Sequence, residues 1–99
     1  LLTIPEYMKK SARFVVLGTV QGVFFRNFVV EHANTHRLRG FVRNLESGDV
    51  EIIVEGEGDS IEKFAEKIKK GPQHSQIRDL KVEERKWSGE FKDFKVLRF

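Results

Sequence analysis

Phe14-Val-Val-Leu17 is an unbroken apolar run closed by Gly18, and residues 12–20 read as a buried strand. From Arg26 the period changes. Phe25, Val29 and Ala33 recur at a spacing of four, which predicts a helix over 26–37. Val29, Val30, Asn34 and Thr35 are weak helix formers, so packing must hold it. Gly40 follows, and Phe41 to Leu45 predicts a second strand. Glu46-Ser-Gly-Asp49 is a turn, and 50–55 a third strand that closes a hairpin with the second. Val50, Ile52 and Val54 alternate with Glu51, Ile53 and Glu55, so one face should be buried and the other mostly polar. Gly56-Glu-Gly58 reads as a linker. The strongest helix pattern covers 59–70, with Ile61, Phe64, Ala65 and Ile68 on one stripe, Asp59 as its cap and Gly71-Pro72 as its stop. A fourth strand is predicted over 77–85, then a polar bend with Trp87 and Gly89, and a short closing strand over 94–99.

The order strand, helix, strand, strand, helix, strand predicts an α+β fold, the ferredoxin-like βαββαβ sandwich. It implies an antiparallel four-stranded sheet plus the short C-terminal strand, with both helices on one face. The first and second strands then run parallel, with the third antiparallel between them. The glycine turn after the first strand and Asn44 at the end of the second are thereby expected at one edge of the sheet.

Ninety-nine residues, 39% of them hydrophobic, suffice for one core. The expected domain is 12–99, with 1–11 as an N-terminal extension whose order the sequence leaves open. No apolar run is long enough to span a bilayer, and the first residues lack the pattern of a signal peptide. The chain has no cysteine, which excludes disulfides, thiolate metal sites and a thiol nucleophile, and fits a cytoplasmic protein. Residues 1–50 hold seven Lys and Arg against four Asp and Glu, whereas residues 51–99 hold eleven of each. The positive excess therefore lies with Arg26, Arg37, Arg39 and Arg43, in the half that carries the glycine turn, and it favours anionic ligands.

That turn, Gly18-Thr-Val-Gln-Gly-Val-Phe-Phe-Arg26, places two glycines at the mouth of a helix. Backbone N–H groups there have no intrahelical acceptor, and the helix dipole adds positive charge, so the turn suits a phosphate. Arg26 is poorly placed for the dipole but well placed to meet a phosphoryl oxygen. His32 and His36 have the spacing of metal ligands on a helix, but no third ligand accompanies them, and solvent or packing roles are expected.

Gly18-Thr-Val-Gln-Gly-Val-Phe-Phe-Arg26 resembles the first signature of the acylphosphatase family, and Gly40-Phe-Val-Arg-Asn-Leu-Glu-Ser-Gly-Asp-Val-Glu51 resembles the second. Gly71-Pro72 and Gly89-Glu-Phe-Lys-Asp-Phe94 look like the same family. The resemblance implies hydrolysis of acyl phosphates, small-molecule substrates, without a cofactor or a metal. It implies that the backbone of Gln21, Gly22, Val23, Phe24, Phe25 and Arg26 cradles the phosphate. Arg26 would bind the phosphoryl oxygens, and the Asn44 amide would hold the attacking water. Inorganic phosphate or a similar anion is an expected occupant of the loop. Phe24 stands where many family members have a small residue, which bears on acyl-group preference. Some members tie the arginine to the C-terminal carboxylate, here that of Phe99.

The competing reading is an RNA-recognition module, which shares the element order, with Arg39-Gly-Phe-Val42 as a partial match to its aromatic signature. The third strand, Val50-Glu-Ile-Ile-Val-Glu55, carries acid instead of the aromatics that stack bases, which argues against nucleic acid. An accessory module of a larger enzyme is a further alternative, against which the lack of zinc-type cysteine pairs argues. The expectation is a monomeric, metal-independent enzyme with no membrane partner.

Overall fold

Val50–Glu57 (β3) is the strand on which the others are laid, in a computed structural model that describes residues 5–19, 23–72 and 76–98. Lys9–Thr19 (β1) and Arg39–Asn44 (β2) pair with its two sides, both antiparallel to it. Gln76–Arg85 (β4) pairs antiparallel with the outer side of β1, and Phe94–Val96 (β5) pairs parallel with β2. The five-stranded order is β4-β1-β3-β2-β5, so the sheet is mixed through its last strand. Val23–Thr35 (α1) and Gly58–Lys70 (α2) complete the chain order, preceded by a 3-10 turn at Glu6–Met8.

One register row shows the faces. Phe14 opposes Ile52 and Val82, and Ile52 opposes Val42. Phe14 meets Phe64 of α2 edge-on, with centroids 5.5 Å apart, so this row faces the helices. Phe25, Val29 and Ala33 of α1 and Ile61, Phe64 and Ile68 of α2 close that core. Removing a buried ring such as Phe64 costs about 3–5 kcal/mol in cores of this kind.

Several expected boundaries move. β1 starts at Lys9, and β3 runs to Glu57, so Gly56 belongs to a strand and Gly58 already to α2. Asp59 is therefore not the cap of α2: Glu57 holds that position and makes no side-chain capping bond. α1 covers 23–35, three residues earlier than its apolar period suggested. It ends with Arg37 N–H donating to the Asn34 carbonyl and Leu38 N–H to that of Ala33, and Arg37 has φ 56°. This is the left-handed helix stop usually given to glycine. Gly40 instead lies within β2, at φ 144°, where a Cβ would overlap the Ile53 carbonyl oxygen.

The second face of β3 is mostly polar, as its alternation suggested, yet it is covered. Glu51 is 5% exposed and Glu55 4%. β4 and β5 lie at opposite edges, so the chain between them crosses this face. On its way Ser88 N–H and Gly89 N–H each donate to the Glu55 carboxylate at 2.9 Å, and Ser88 Oγ donates at 3.0 Å. Phe91 packs edge-on to Phe41 of β2, and Lys9 Nζ lies 4.7 Å from the Trp87 ring centre. Burial alone would raise the Glu55 pKa, but these donors outweigh it and hold the carboxyl below its ordinary value.

Candidate functional site

Asn44 and Val16 both take Val50 as their partner, so the end of β2 lies level with β1 three residues short of Thr19. Beyond Thr19 the chain enters α1, which must run back down the sheet because β2 begins at the other end. The first turn of α1 and Asn44 therefore share one end of the sheet. They also share a face, since Val42, two residues before Asn44, belongs to the core under the helices.

Asn44 is exposed beside a tight turn. Leu45 N–H donates to Asp49 at 2.8 Å and Gly48 N–H to Leu45 at 3.0 Å, which fixes where β2 stops. At the start of α1, Phe25 is buried and anchors the helix, Arg26 is half-buried, and Phe24 is 86% exposed. The first turn carries no acidic residue to offset the positive end of its dipole. Of the expected site, Gln21 and Gly22 lie outside the described residues, as does Phe99, and for Val23 only the backbone is described.

A network that the sequence reading passed over stands behind Asn44. Glu51 accepts from Arg13 Nε at 2.6 Å and from Arg43 Nε at 2.6 Å, and Arg13 also reaches Glu83 at 3.3 Å. Burial would raise the Glu51 pKa, and the two arginines reverse it, so its carboxyl lies below the ordinary value. The Arg13 guanidinium is held above its ordinary value by the bond to Glu51. The signal for this network was available: β3 carries Glu51 between two strands that each present an arginine.

The positive excess is divided. Arg37 and Arg39 lie where α1 ends and β2 begins, at the far end of the sheet from Asn44. Arg43 engages Glu51, and its guanidinium lies 5.7 Å from the Phe41 ring centre. Arg26 is thus the arginine of this group that the fold places at the helix entrance. His32 packs against the Phe28 ring at 4.4 Å. Burial, with His32, Lys63 and Lys67 nearby, pushes His36 below its ordinary pKa. Among the described residues no three His, Asp or Glu side chains converge as a metal-ligand set, and no helix is long and apolar enough to cross a membrane.

Residues 12–96 match the acylphosphatase family model. Acylphosphatase of Bacillus licheniformis is 45% identical over 84 residues, covering 85% of this chain and 93% of that one. Acylphosphatase of Aeropyrum pernix is 44% identical over 86 residues, covering 86% of this chain and 85% of the relative. In the solved structure of an acylphosphatase from Coxiella burnetii the fold recurs with a TM-score of 0.87 at 36% identity, covering 97% of this chain and all of that one.

Proposed function

Since the chain belongs to the acylphosphatase family, we propose that it hydrolyses the carboxyl–phosphate bond of acyl phosphates, with Arg26 and Asn44 as its catalytic pair. The observation that carries this reading is the shared sheet end and face of Asn44 and the first turn of α1. The backbone from Gln21 to Arg26 cradles the phosphate, and the Arg26 guanidinium neutralises its oxygens. The Asn44 amide orients a water in line with the scissile bond. The water oxygen bonds to phosphorus as the P–O bond to the acyl group breaks. The carboxylate leaves with the electron pair, and the water proton passes to a phosphoryl oxygen or to solvent. A carboxylate is a good leaving group, so positioning and charge neutralisation suffice.

No metal is required in this scheme. The catalytic domain runs over residues 12–99 and works within one chain, in the cytoplasm. Inorganic phosphate or a similar anion occupies the loop as product. The test is phosphate release from benzoyl phosphate, with and without a chelator, beside retention on single-stranded RNA. Turnover that survives chelation, with no salt-sensitive RNA retention, is expected. Absence of turnover together with RNA retention would reverse the assignment.

A further inference from the structure

We propose, on the acylphosphatase reading above, that Glu51 is a positioning residue for the reaction: through Arg43 it sets where Asn44 holds the attacking water relative to the first turn of α1. The two halves of the proposed site arrive on different strands. β1 leads to α1 and β2 ends in Asn44, and β3 lies between them. Their spacing is therefore set across β3. β2 is supported unevenly on its outer side. β5 accompanies it from Gly40 to Val42, and Leu97 N–H donates to the Val42 carbonyl at 2.9 Å. Asn44 lies two residues beyond that support, opposite Val50 of β3. The turn after it closes on itself, Leu45 to Asp49 and Gly48 to Leu45, so these bonds shape the hairpin tip without tying it to β1.

Glu51 supplies that tie. It is buried, and it faces Arg43 directly in the register of β2 and β3. Arg43 Nε donates to one of its carboxylate oxygens and Arg13 Nε of β1 to the other, each at 2.6 Å. Arg13 also reaches Glu83 of β4 at 3.3 Å. Side chains of alternating charge thus run across adjacent strands, from Glu83 through Arg13 and Glu51 to Arg43, and the row ends one residue from Asn44. Short charge-assisted bonds have narrow geometry. In-line attack is sensitive to such geometry, since a misplacement of about 1 Å can cost about a hundredfold in rate. The phosphate half depends on this row less. β1 pairs with β3 as far as Val16 and with β4 as far as Thr19, so its backbone holds it up to the start of the proposed loop. Breaking the row should therefore misplace the water while leaving phosphate binding in place.

The experiment is steady-state kinetics on benzoyl phosphate, with inhibition by inorganic phosphate, for the parent chain, Glu51→Gln, Arg43→Met, their double variant and Glu55→Ala. Glu51→Gln keeps the volume and one acceptor oxygen, and Arg43→Met keeps the stem and leaves Glu51 its bond to Arg13. Each should lower kcat at least about tenfold. KM and the inhibition constant of phosphate should stay within about twofold of the parent values, the pattern of an interaction made in the transition state. The double variant should lose no more than the worse single one, because Glu51 acts through Arg43. Glu55 lies on the same strand and face but holds Ser88 and Gly89, so Glu55→Ala should lose stability and keep the parental kcat. Parental kcat in folded Glu51→Gln or Arg43→Met would overturn the proposal. So would a rise in KM without a fall in kcat, or an equal loss of kcat in Glu55→Ala, which would reduce Glu51 to a stability role. If Glu51→Gln does not fold, Arg43→Met decides alone. Turnover by the parent chain separates the two levels: its absence contradicts the acylphosphatase reading, whereas parental kcat in the variants contradicts the role of Glu51 alone.

Discussion

Glu51 holds Arg43 at 2.6 Å, one residue ahead of Asn44. The same carboxylate holds Arg13 on the strand that precedes α1, so one side chain ties together the two strands that lead to the proposed site. Glu51 and Glu55 both have carboxyls held below the ordinary value, which sets the sign of an acid effect. The unfolded chain takes up protons first, near the ordinary carboxylate pKa of about 4.3. The stabilisation is thus complete above that value and is lost as pH falls through the lower folded values. The thermal midpoint should drop steeply below about pH 4. Glu55→Ala should cost about 1–3 kcal/mol at neutral pH, because the Ser88 and Gly89 N–H groups lose their acceptor, and should flatten the acid limb. Denaturation followed across pH measures both.

Gly40→Ala should destabilise the chain by about 2 kcal/mol or more, through a strained φ and a backbone clash with Ile53. β2 and β5 should loosen together, since Gly40 N–H donates to the Asp93 carbonyl at 2.9 Å. Urea unfolding of the purified variant gives the value.

Arg37→Gly should act in the opposite direction. A left-handed residue that is not glycine carries about 1 kcal/mol of steric cost. The hydrogen bonds of this helix stop use the backbone alone, so the substitution keeps them. A gain of up to about 1 kcal/mol is expected in the same urea experiment.

Periodicity located every strand and both helices because the core rows repeat at two and at four. It erred where local chemistry gave way to tertiary geometry. The left-handed position after α1 falls to Arg37, which no local signal marked, and Gly40 lies in a crowded strand crossing. Asp59 looked like a cap by residue type, but β3 continues to Glu57 and the helix starts sooner. Glu51 and Glu55 read as part of a mostly polar face, and that pattern does not tell a covered face from an open one. Their burial depends on Arg13 and on Ser88, which lie 38 and 33 residues away and which no local window contains. For the candidate site, the element order from sequence alone put Asn44 at the sheet end where α1 begins, whereas a charge count by halves could not separate Arg26 from Arg37 and Arg39 at the far end.

Phe24→Ala should leave stability within about 0.5 kcal/mol of the parent, since the ring is 86% exposed. If the ring contacts the acyl group, KM should rise severalfold for benzoyl phosphate and little for acetyl phosphate, with kcat close to the parent value. Steady-state kinetics on the two substrates checks this.

The central claim is that Arg26 and Asn44 act at one end of the sheet on one phosphate. Arg26→Ala and Asn44→Ala, each confirmed as folded by circular dichroism, should lower kcat for benzoyl phosphate at least about a hundredfold. Inorganic phosphate should lose its protection against thermal unfolding in Arg26→Ala and keep it in Asn44→Ala. Unchanged turnover in Arg26→Ala would contradict the assignment.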